Sequence, residues 1–185
     1  DLEISDAIID IKNKYNYPQS IATSTGKNAK EKIIETVRKL SGALKLRMSV
    51  QSMDKEVLKN INRDNISEQR MIELAPTIKE SGLQTTAEVI LGLPGDSYKS
   101  HLHSLKTLLK TGIDEILVFS CMLLPGSEMY EQREKFNFIA KHRILPRDFA
   151  KLSNGKIVLE TEEVVVGSDT MTFDEYLELR LFNFL

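Results

Sequence analysis

Short apolar strands alternate with amphipathic helices along most of this chain, and this alternation constrains its fold more than any other feature. The strands are nearly continuous in apolar residues, and the helices repeat their apolar residues about every 3.6 positions. Apolar strands joined by helices are typical of a mostly parallel sheet with helices on its outer face. The sequence therefore predicts an α/β fold, either half of an eight-stranded TIM-like β/α barrel or a small open sheet. The predicted strands, two of them with their turns, are 19–25, 43–52, 85–95 and 115–127, and the predicted helices are 28–40, 53–63, 67–82, 98–111 and 128–136.

The pattern changes after about residue 137, where regular alternation stops. Asn154-Gly155 is a hairpin turn signal, and Thr172 and Glu175 have the spacing of a capping box, with Met171 and Tyr176 as its apolar staple. We expect residues 1–136 to form the half-barrel and residues 137–185 to form a C-terminal extension. The first residue is Asp, and the last ten residues break off inside an apolar helical pattern, so we expect a piece of a longer protein.

The composition excludes several classes of protein. The net charge of −2 argues against a protein that binds polyanions, and no apolar stretch approaches the length of a membrane span. No signal-peptide pattern opens the chain. The single cysteine, Cys121, excludes an internal disulfide framework and fits a reducing compartment. We therefore expect a cytoplasmic protein in which Cys121 is a small buried apolar residue.

Two strands end in the same tripeptide, Leu-Pro-Gly, at residues 93–95 and 124–126. The carboxyl ends of parallel strands meet at one edge of a sheet, where α/β folds bind ligands. Such turns also serve simply to end a strand, and that structural reading is the alternative here. Glu88 favours a binding site, because a carboxylate within an apolar strand needs a partner, either a ligand hydroxyl or a neighbouring Arg or Lys.

The ordered motifs SVQS (49–52), NR (62–63), AEVILGLPG (87–95) and LLPGS (123–127) resemble one known family. They resemble the C-terminal half of the radical S-adenosylmethionine (radical SAM) barrel. Within that family, they are most similar to the branch with coproporphyrinogen-oxidase-like, methylthiotransferase-like and cobalamin-binding members. The resemblance implies an iron–sulfur enzyme of the oxidoreductase type that reductively cleaves S-adenosylmethionine to a 5′-deoxyadenosyl radical. Its implied cofactors are S-adenosylmethionine, a 4Fe–4S cluster and, in the full-length protein, cobalamin.

The resemblance implies roles for polar residues at the strand ends. Gln51 resembles the residue that hydrogen-bonds the ribose of S-adenosylmethionine, and Ser52 lies beside it. Arg63 resembles the arginine that holds the methionyl carboxylate, a task that suits the guanidinium fork. Glu88 resembles the acidic residue that accepts hydrogen bonds from the ribose hydroxyls.

The resemblance also implies three contacts to the adenine. Ile90 resembles the apolar contact to the base, and Gly92 lets the backbone approach it. Met122 resembles the residue of the sixth strand whose backbone pairs with the adenine edge. Residues 88–97 would then build the adenosine wall of a cofactor site.

One defining feature of the family is absent from this sequence. The family holds its cluster with a C-x-x-x-C-x-x-C loop, and a chain with one cysteine has no such loop. We expect the cluster ligands to lie outside this chain, in the missing N-terminal half of the barrel. We expect the chain alone to fold but not to catalyse the reaction. Its open barrel face should self-associate or be covered by the helix at 172–185.

Two other functions stay open from the sequence. The chain could be a degenerate half-barrel that serves as an interaction domain, or an unrelated barrel enzyme that binds a sugar or phosphate ligand. His101 and His103 lie two apart on a helix and cannot bind one metal together, so we expect both to be at the surface or partly packed. The substrate cannot be named from the sequence.

Overall fold

The computed structural model describes residues 2–21, 35–36, 39–40, 43–44, 46–64, 68–69, 71–73, 76 and 84–184. Its elements, in chain order, are α1 (Leu2–Tyr15), β1 (Leu46–Gln51), α2 (Lys55–Asn60), β2 (Thr85–Leu91), α3 (Tyr98–Lys110), β3 (Glu115–Ser120), α4 (Glu128–Glu131), β4 (Ile139–Lys151), β5 (Ile157–Gly167) and α5 (Phe173–Phe182). Within these ranges, none of the helices has the length and apolar character needed to cross a bilayer.

Strands β1, β2 and β3 form one sheet in that order. Strands β1 and β2 pair in parallel from Leu46 opposite Thr85, and helix α3 connects β2 to β3. Parallel strands with helices in their connections confirm the predicted α/β fold with a parallel sheet. The described residues do not close this sheet into a barrel.

Parts of the prediction fall outside the described residues. Most of the predicted strand at 19–25 lies there, although Ile21 makes a parallel bridge to Leu44. Much of the predicted helices at 28–40 and 67–82 lies there as well.

The chain divides into two compact units, and the first comprises Asp1–Gln51, Asn65–Val89 and Ser104–Leu117. The start of β2 is anchored in this unit by Asp114, whose Oδ2 accepts from the backbone N–H and the hydroxyl of Thr85, both at 2.8 Å. These two hydrogen bonds hold the pKa of Asp114 below its ordinary value, because they favour the ionised carboxylate.

The second unit comprises Ser52–Asp64, Ile90–His103 and Val118–Leu185. It buries two apolar clusters, with Val165 in one and Val166 in the other. Successive residues of a strand point to opposite faces, so β5 contributes to both clusters at this point. The first cluster is Val57, Leu93, Cys121, Leu123 and Val165, and the second is Leu91, Val166, Met171, Tyr176 and Leu179.

The hairpin predicted at Asn154-Gly155 is present but much longer than the sequence suggested. Strands β4 and β5 pair antiparallel over most of their length, with Gly155 at φ 81° in the turn. Their distal parts are exposed on both faces, as at Ile157 and Val158, which are 61% and 42% exposed. Such strands carry no period-two burial pattern, which explains why this segment reads as irregular from the sequence.

Helix α5 begins as predicted, at a capping box of Thr172 and Glu175. Met171 and Tyr176 both lie in the second apolar cluster, as an apolar staple requires. Residues 137–184 thus contain an antiparallel hairpin and a helix, and the domain boundary at 136/137 stays a prediction.

Candidate functional site

Strand β2 ends in a tight turn, residues 92–95, which we call the Gly92 turn. Gly92 and Gly95 have φ values of +86° and +79°, in the left-handed region that favours glycine. A Cβ atom at Gly95 would also lie 2.7 Å from Nδ2 of Asn60, which itself donates to the carbonyl of Pro94. The two glycines are therefore required by backbone conformation and, at Gly95, by a close approach.

The carboxylate of Glu88 lies on the face of β2 opposite to that of its neighbours Ala87 and Val89, which are fully buried. Ser49, its partner in register on β1, donates a 2.7 Å hydrogen bond to Oε2. The guanidinium of Arg47 lies 3.5 Å from Oε1, and the Glu88 side chain is 18% exposed. The partner expected for this carboxylate thus includes a neighbouring Arg, and the partly exposed oxygens retain lone pairs for a ligand.

Gln51 ends β1 in an unusual conformation. Its φ is 62°, and the register with β2 shifts between Ser49 and Gln51. The side chain is 8% exposed, and its buried Oε1 has no hydrogen-bond partner among the described residues. A left-handed non-glycine residue and a buried acceptor without a donor both cost free energy, and such costs concentrate at ligand sites. A ligand hydroxyl that donates to Oε1 would remove the second cost.

The residue after Gln51 has a structural contact. Ser52 is 3% exposed, and its Oγ accepts from the backbone N–H of Asp54 at 3.1 Å. Asp54 in turn caps α2 by accepting from the N–H groups of Glu56 and Val57. Ser52 therefore supports the start of α2.

The other predicted residues lie in the second unit. The backbone N–H of Arg63 donates to Leu58 at 2.9 Å and closes the end of α2. Ile90 is half-buried against the first apolar cluster. Met122, 39% exposed, makes an antiparallel bridge to Val164.

The hydrogen bonds around the Met122 bridge come from its neighbours. The N–H of Leu123 donates to Glu163, and the carbonyl of Cys121 accepts from Val165. In such a pair, the peptide groups of the central residue point away from the partner strand. The backbone of Met122 is therefore directed away from β5.

Two of the seven predicted residues, Gln51 on β1 and Glu88 on β2, lie on adjacent strands of the first unit. Gln51 is paired in register with Val89, the residue after Glu88. The remaining five belong to the second unit and are Ser52, Arg63, Ile90, Gly92 and Met122. Their roles toward a ligand stay predictions.

The sequence patterns did not indicate that Asp96 and His101 form a buried pair. Both are 2% exposed, and Nδ1 of His101 lies 3.7 Å from Oδ2 of Asp96. The expectation that His101 lies at the surface or only partly packed is wrong. The signal was present, because His101 shares the apolar stripe of α3 with Leu105 and Leu108, four and seven residues further on.

Cys121 does not fit a cluster ligand. It is 3% exposed, and burial raises the pKa of its thiol to about 12, with a further contribution from the negative charge of Asp96. Cluster ligands are thiolates, and the chain has one cysteine, so its residues do not fit a 4Fe–4S cluster. Across the described ranges, no three His, Cys, Asp or Glu side chains are grouped to hold a metal ion. Oε1 of Gln51 and the carboxylate of Glu88 are hydrogen-bond acceptors, the type of group that a ribose hydroxyl requires.

No protein-family model matches the sequence. The chain is 25% identical over 186 residues to the cobalamin-dependent radical SAM methyltransferase TokK of Streptomyces tokunonensis, covering 96% of this chain and 27% of that protein. It is 27% identical over 184 residues to the 2-(S-pantetheinyl)-carbapenam-3-carboxylate methyltransferase of Streptantibioticus cattleyicolor, again covering 96% of this chain and 27% of that protein. The chain thus spans 27% of the length of both curated relatives.

Among solved structures, the chain is similar to the radical S-adenosylmethionine methyltransferase TsrM of Kitasatospora setae. One TsrM structure, with tryptophan substrate and the S-adenosylmethionine analogue aza-SAM bound, matches with a TM-score of 0.52 at 12% identity, over 79% of this chain and 30% of TsrM. Another, with cobalamin and a 4Fe–4S cluster bound, matches with a TM-score of 0.51. This likeness confirms the predicted partial TIM-like fold. Together with the sequence similarity to TokK, it confirms that the chain resembles the radical SAM enzymes, as its motifs indicated.

Proposed function

We propose that this chain supplies the adenosine- and ribose-binding wall of a longer, cobalamin-dependent radical SAM methyltransferase. The observation that carries the proposal is the buried Oε1 of Gln51, which lacks a donor among the described residues and lies on the strand beside Glu88. Similarity to TokK over 96% of the chain supports this class of enzyme.

The two side chains suit the hydroxyls of a ribose. A hydroxyl donates one hydrogen bond, and both Oε1 of Gln51 and the carboxylate of Glu88 accept. Ser49 and Arg47 hold the Glu88 carboxylate in place before a ligand arrives, which lowers the entropic cost of binding. Arg63 is the proposed partner of the methionyl carboxylate.

The cofactors of the longer enzyme would be S-adenosylmethionine, a 4Fe–4S cluster held by residues outside this chain, and cobalamin. The cluster would supply the electron for reductive cleavage of S-adenosylmethionine to a 5′-deoxyadenosyl radical. The residues of this chain bind and orient the adenosine end of the cofactor. A cytoplasmic location and self-association through an open barrel face remain part of the proposal.

The test is whether the chain recognises ribose hydroxyls through Glu88. Isotope-labelled chain is titrated with adenosine and with 2′,3′-dideoxyadenosine, and amide shifts are followed by NMR. We expect adenosine to bind at least about tenfold more tightly than 2′,3′-dideoxyadenosine, because a hydrogen bond to a charged group contributes more than one between neutral groups. Glu88→Gln should remove most of that preference.

The matched control is Glu178→Gln, the same change at an exposed position of α5, which should leave the preference intact. Equal binding of the two nucleosides by the unaltered chain would contradict the ribose assignment. A degenerate interaction domain would bind neither nucleoside, and a sugar- or phosphate-binding barrel would respond to those ligands instead.

A further inference from the structure

Asp96 and His101 are buried ionisable residues to which the proposed function gives no role. Asp96 follows the Gly92 turn directly, and His101 lies one turn into α3. Each side chain is 2% exposed. A buried carboxylate is costly unless several donors compensate it, so its contacts indicate what it does.

Three donors converge on the carboxylate of Asp96. Oδ2 accepts from the backbone N–H of Gly92 at 3.2 Å. Oδ1 accepts from the backbone N–H of Ser97 at 3.0 Å and from the hydroxyl of Ser100 at 2.6 Å. The carboxylate therefore ties the end of β2 to the beginning of α3.

The start of α3 is capped next to this contact. The Ser97 hydroxyl accepts from the N–H of Ser100 at 3.2 Å, and the Ser100 hydroxyl accepts from the N–H of Ser97 at 2.8 Å. This reciprocal pair is a capping box with Ser in the place of Glu. The Ser100 hydroxyl also donates to Asp96, so the cap fixes the position of the carboxylate.

The surroundings of Asp96 come from several segments of the second unit. Thr170 donates its hydroxyl to the Asp96 carbonyl at 2.6 Å. His101 lies 3.7 Å from Oδ2 through Nδ1, and its Nε2 lies 3.4 Å from Nδ2 of Asn183. The Asp96 charge also contributes to the raised pKa of the Cys121 thiol.

Only a carboxylate satisfies all three donors. An ionised Asp is purely an acceptor with two oxygens, whereas Asn replaces one oxygen by an NH₂ group that donates. In Asp96→Asn, that group would face the backbone N–H of either Gly92 or Ser97, and a donor would then oppose a donor. A buried N–H without an acceptor costs free energy, so the Gly92 turn would loosen.

We propose that Asp96 is a positioning residue that holds the Gly92 turn in the left-handed conformation needed for the backbone to approach adenosine. The inference rests on the proposed function for its ligand, while the contact between Asp96 and Gly92 is independent of it. The Ser97–Ser100 cap and His101 support the carboxylate from α3.

The experiment measures hydrogen exchange of the Gly92 amide by NMR, together with adenosine affinity, in the full chain. In Asp96→Asn, we expect Gly92 exchange to rise about tenfold or more, as for loss of a hydrogen bond to a charged acceptor. We expect adenosine to bind more weakly by a similar factor. Amides of the β4–β5 hairpin should exchange at their unaltered rates, which separates a local effect from global unfolding.

The matched control is Asp114→Asn, which also removes a carboxylate that accepts a backbone N–H, at the start of β2. It should lower overall stability without a selective effect on the Gly92 amide. Should Asp96→Asn not fold, Ser100→Ala takes its place, since it removes the hydroxyl that positions Oδ1. Hydrogen exchange of the Gly92 amide should then rise about threefold or more. The effect is smaller because the Asp96 carboxylate stays and only the hydroxyl that positions it is lost.

The outcomes separate the two proposals. Unchanged Gly92 exchange in these variants would overturn the role of Asp96. Faster Gly92 exchange with unchanged adenosine affinity would overturn the role of Asp96 in positioning the ligand site. If the unaltered chain binds no adenosine but Gly92 exchange rises as expected, Asp96 still holds the turn and the proposed function fails.

Discussion

Cys121 is a residue whose chemistry is decided by its surroundings. It belongs to the first apolar cluster, its Sγ lies 3.1 Å from Sδ of Met129, and burial raises its pKa to about 12. A thiol in these surroundings stays protonated and inaccessible at neutral pH, and only thiolates are good nucleophiles and cluster ligands. Its role is therefore that of a small apolar side chain.

We predict that iodoacetamide at mildly alkaline pH alkylates Cys121 at least about a hundredfold more slowly in the folded chain than in urea. The physical reason is the combined loss of thiolate and of access. Mass spectrometry of timed, quenched samples gives both rates. Equal rates under the two conditions would show that the thiol is exposed or ionised.

Helix α5 is stabilised at the level of a whole element, by its cap and by one buried face. The Thr172–Glu175 box satisfies its first N–H groups, and the Tyr176 hydroxyl lies 3.0 Å from Oγ of Ser120. Leu179 is fully buried in the second apolar cluster, whereas Leu181, two residues on, is 71% exposed. The two leucines therefore allow burial to be separated from helix propensity.

We predict that Leu179→Ala lowers the free energy of unfolding by about 2–5 kcal/mol, the range for buried leucines. Leu181→Ala should change it by less than about 0.5 kcal/mol, because an exposed side chain loses little on truncation. Urea denaturation followed by circular dichroism measures both. Similar losses for the two variants would mean that α5 does not dock through the Leu179 face.

At the scale of the whole molecule, the main fact is the partial coverage of its relatives. The chain accounts for 27% of TokK and of the carbapenam methyltransferase. With one cysteine, it cannot itself hold a 4Fe–4S cluster. In our proposal, residues of this chain bind the adenosine and the methionyl carboxylate of S-adenosylmethionine. In our proposal the iron that would anchor the amino and carboxylate groups lies elsewhere.

We therefore predict that this chain binds S-adenosylmethionine with a dissociation constant above about 1 μM, which corresponds to a binding free energy weaker than about −8 kcal/mol. Isothermal calorimetry with the full chain measures this affinity. Tighter binding would show that the adenosine wall suffices without the iron anchor. S-adenosylhomocysteine serves as the comparison ligand, because it keeps the adenosine and amino-acid ends but lacks the methyl group.

Much of the fold could be predicted locally. Apolar runs indicated β1, β2 and β3, 3.6-residue periodicity indicated α3, and turn chemistry indicated the hairpin at Asn154-Gly155. These features depend on residues close together in the chain, so the sequence by itself determines them. The Thr172 capping box and the burial of Cys121 were predicted on the same local grounds.

The contacts that define the candidate site depend on tertiary structure. Whether Glu88 meets Arg47 or a ligand, and whether the Oε1 of Gln51 finds a donor, depends on which strand lies alongside and in which register. Asp96 and His101 became a buried pair because the Gly92 turn folds the end of β2 back onto the start of α3. The length of the β4–β5 hairpin was hidden because its exposed strands bury no alternating face. Local periodicity records which face of an element is buried, whereas the partner of each buried polar group is set by segments distant in the chain, and only packing brings them together.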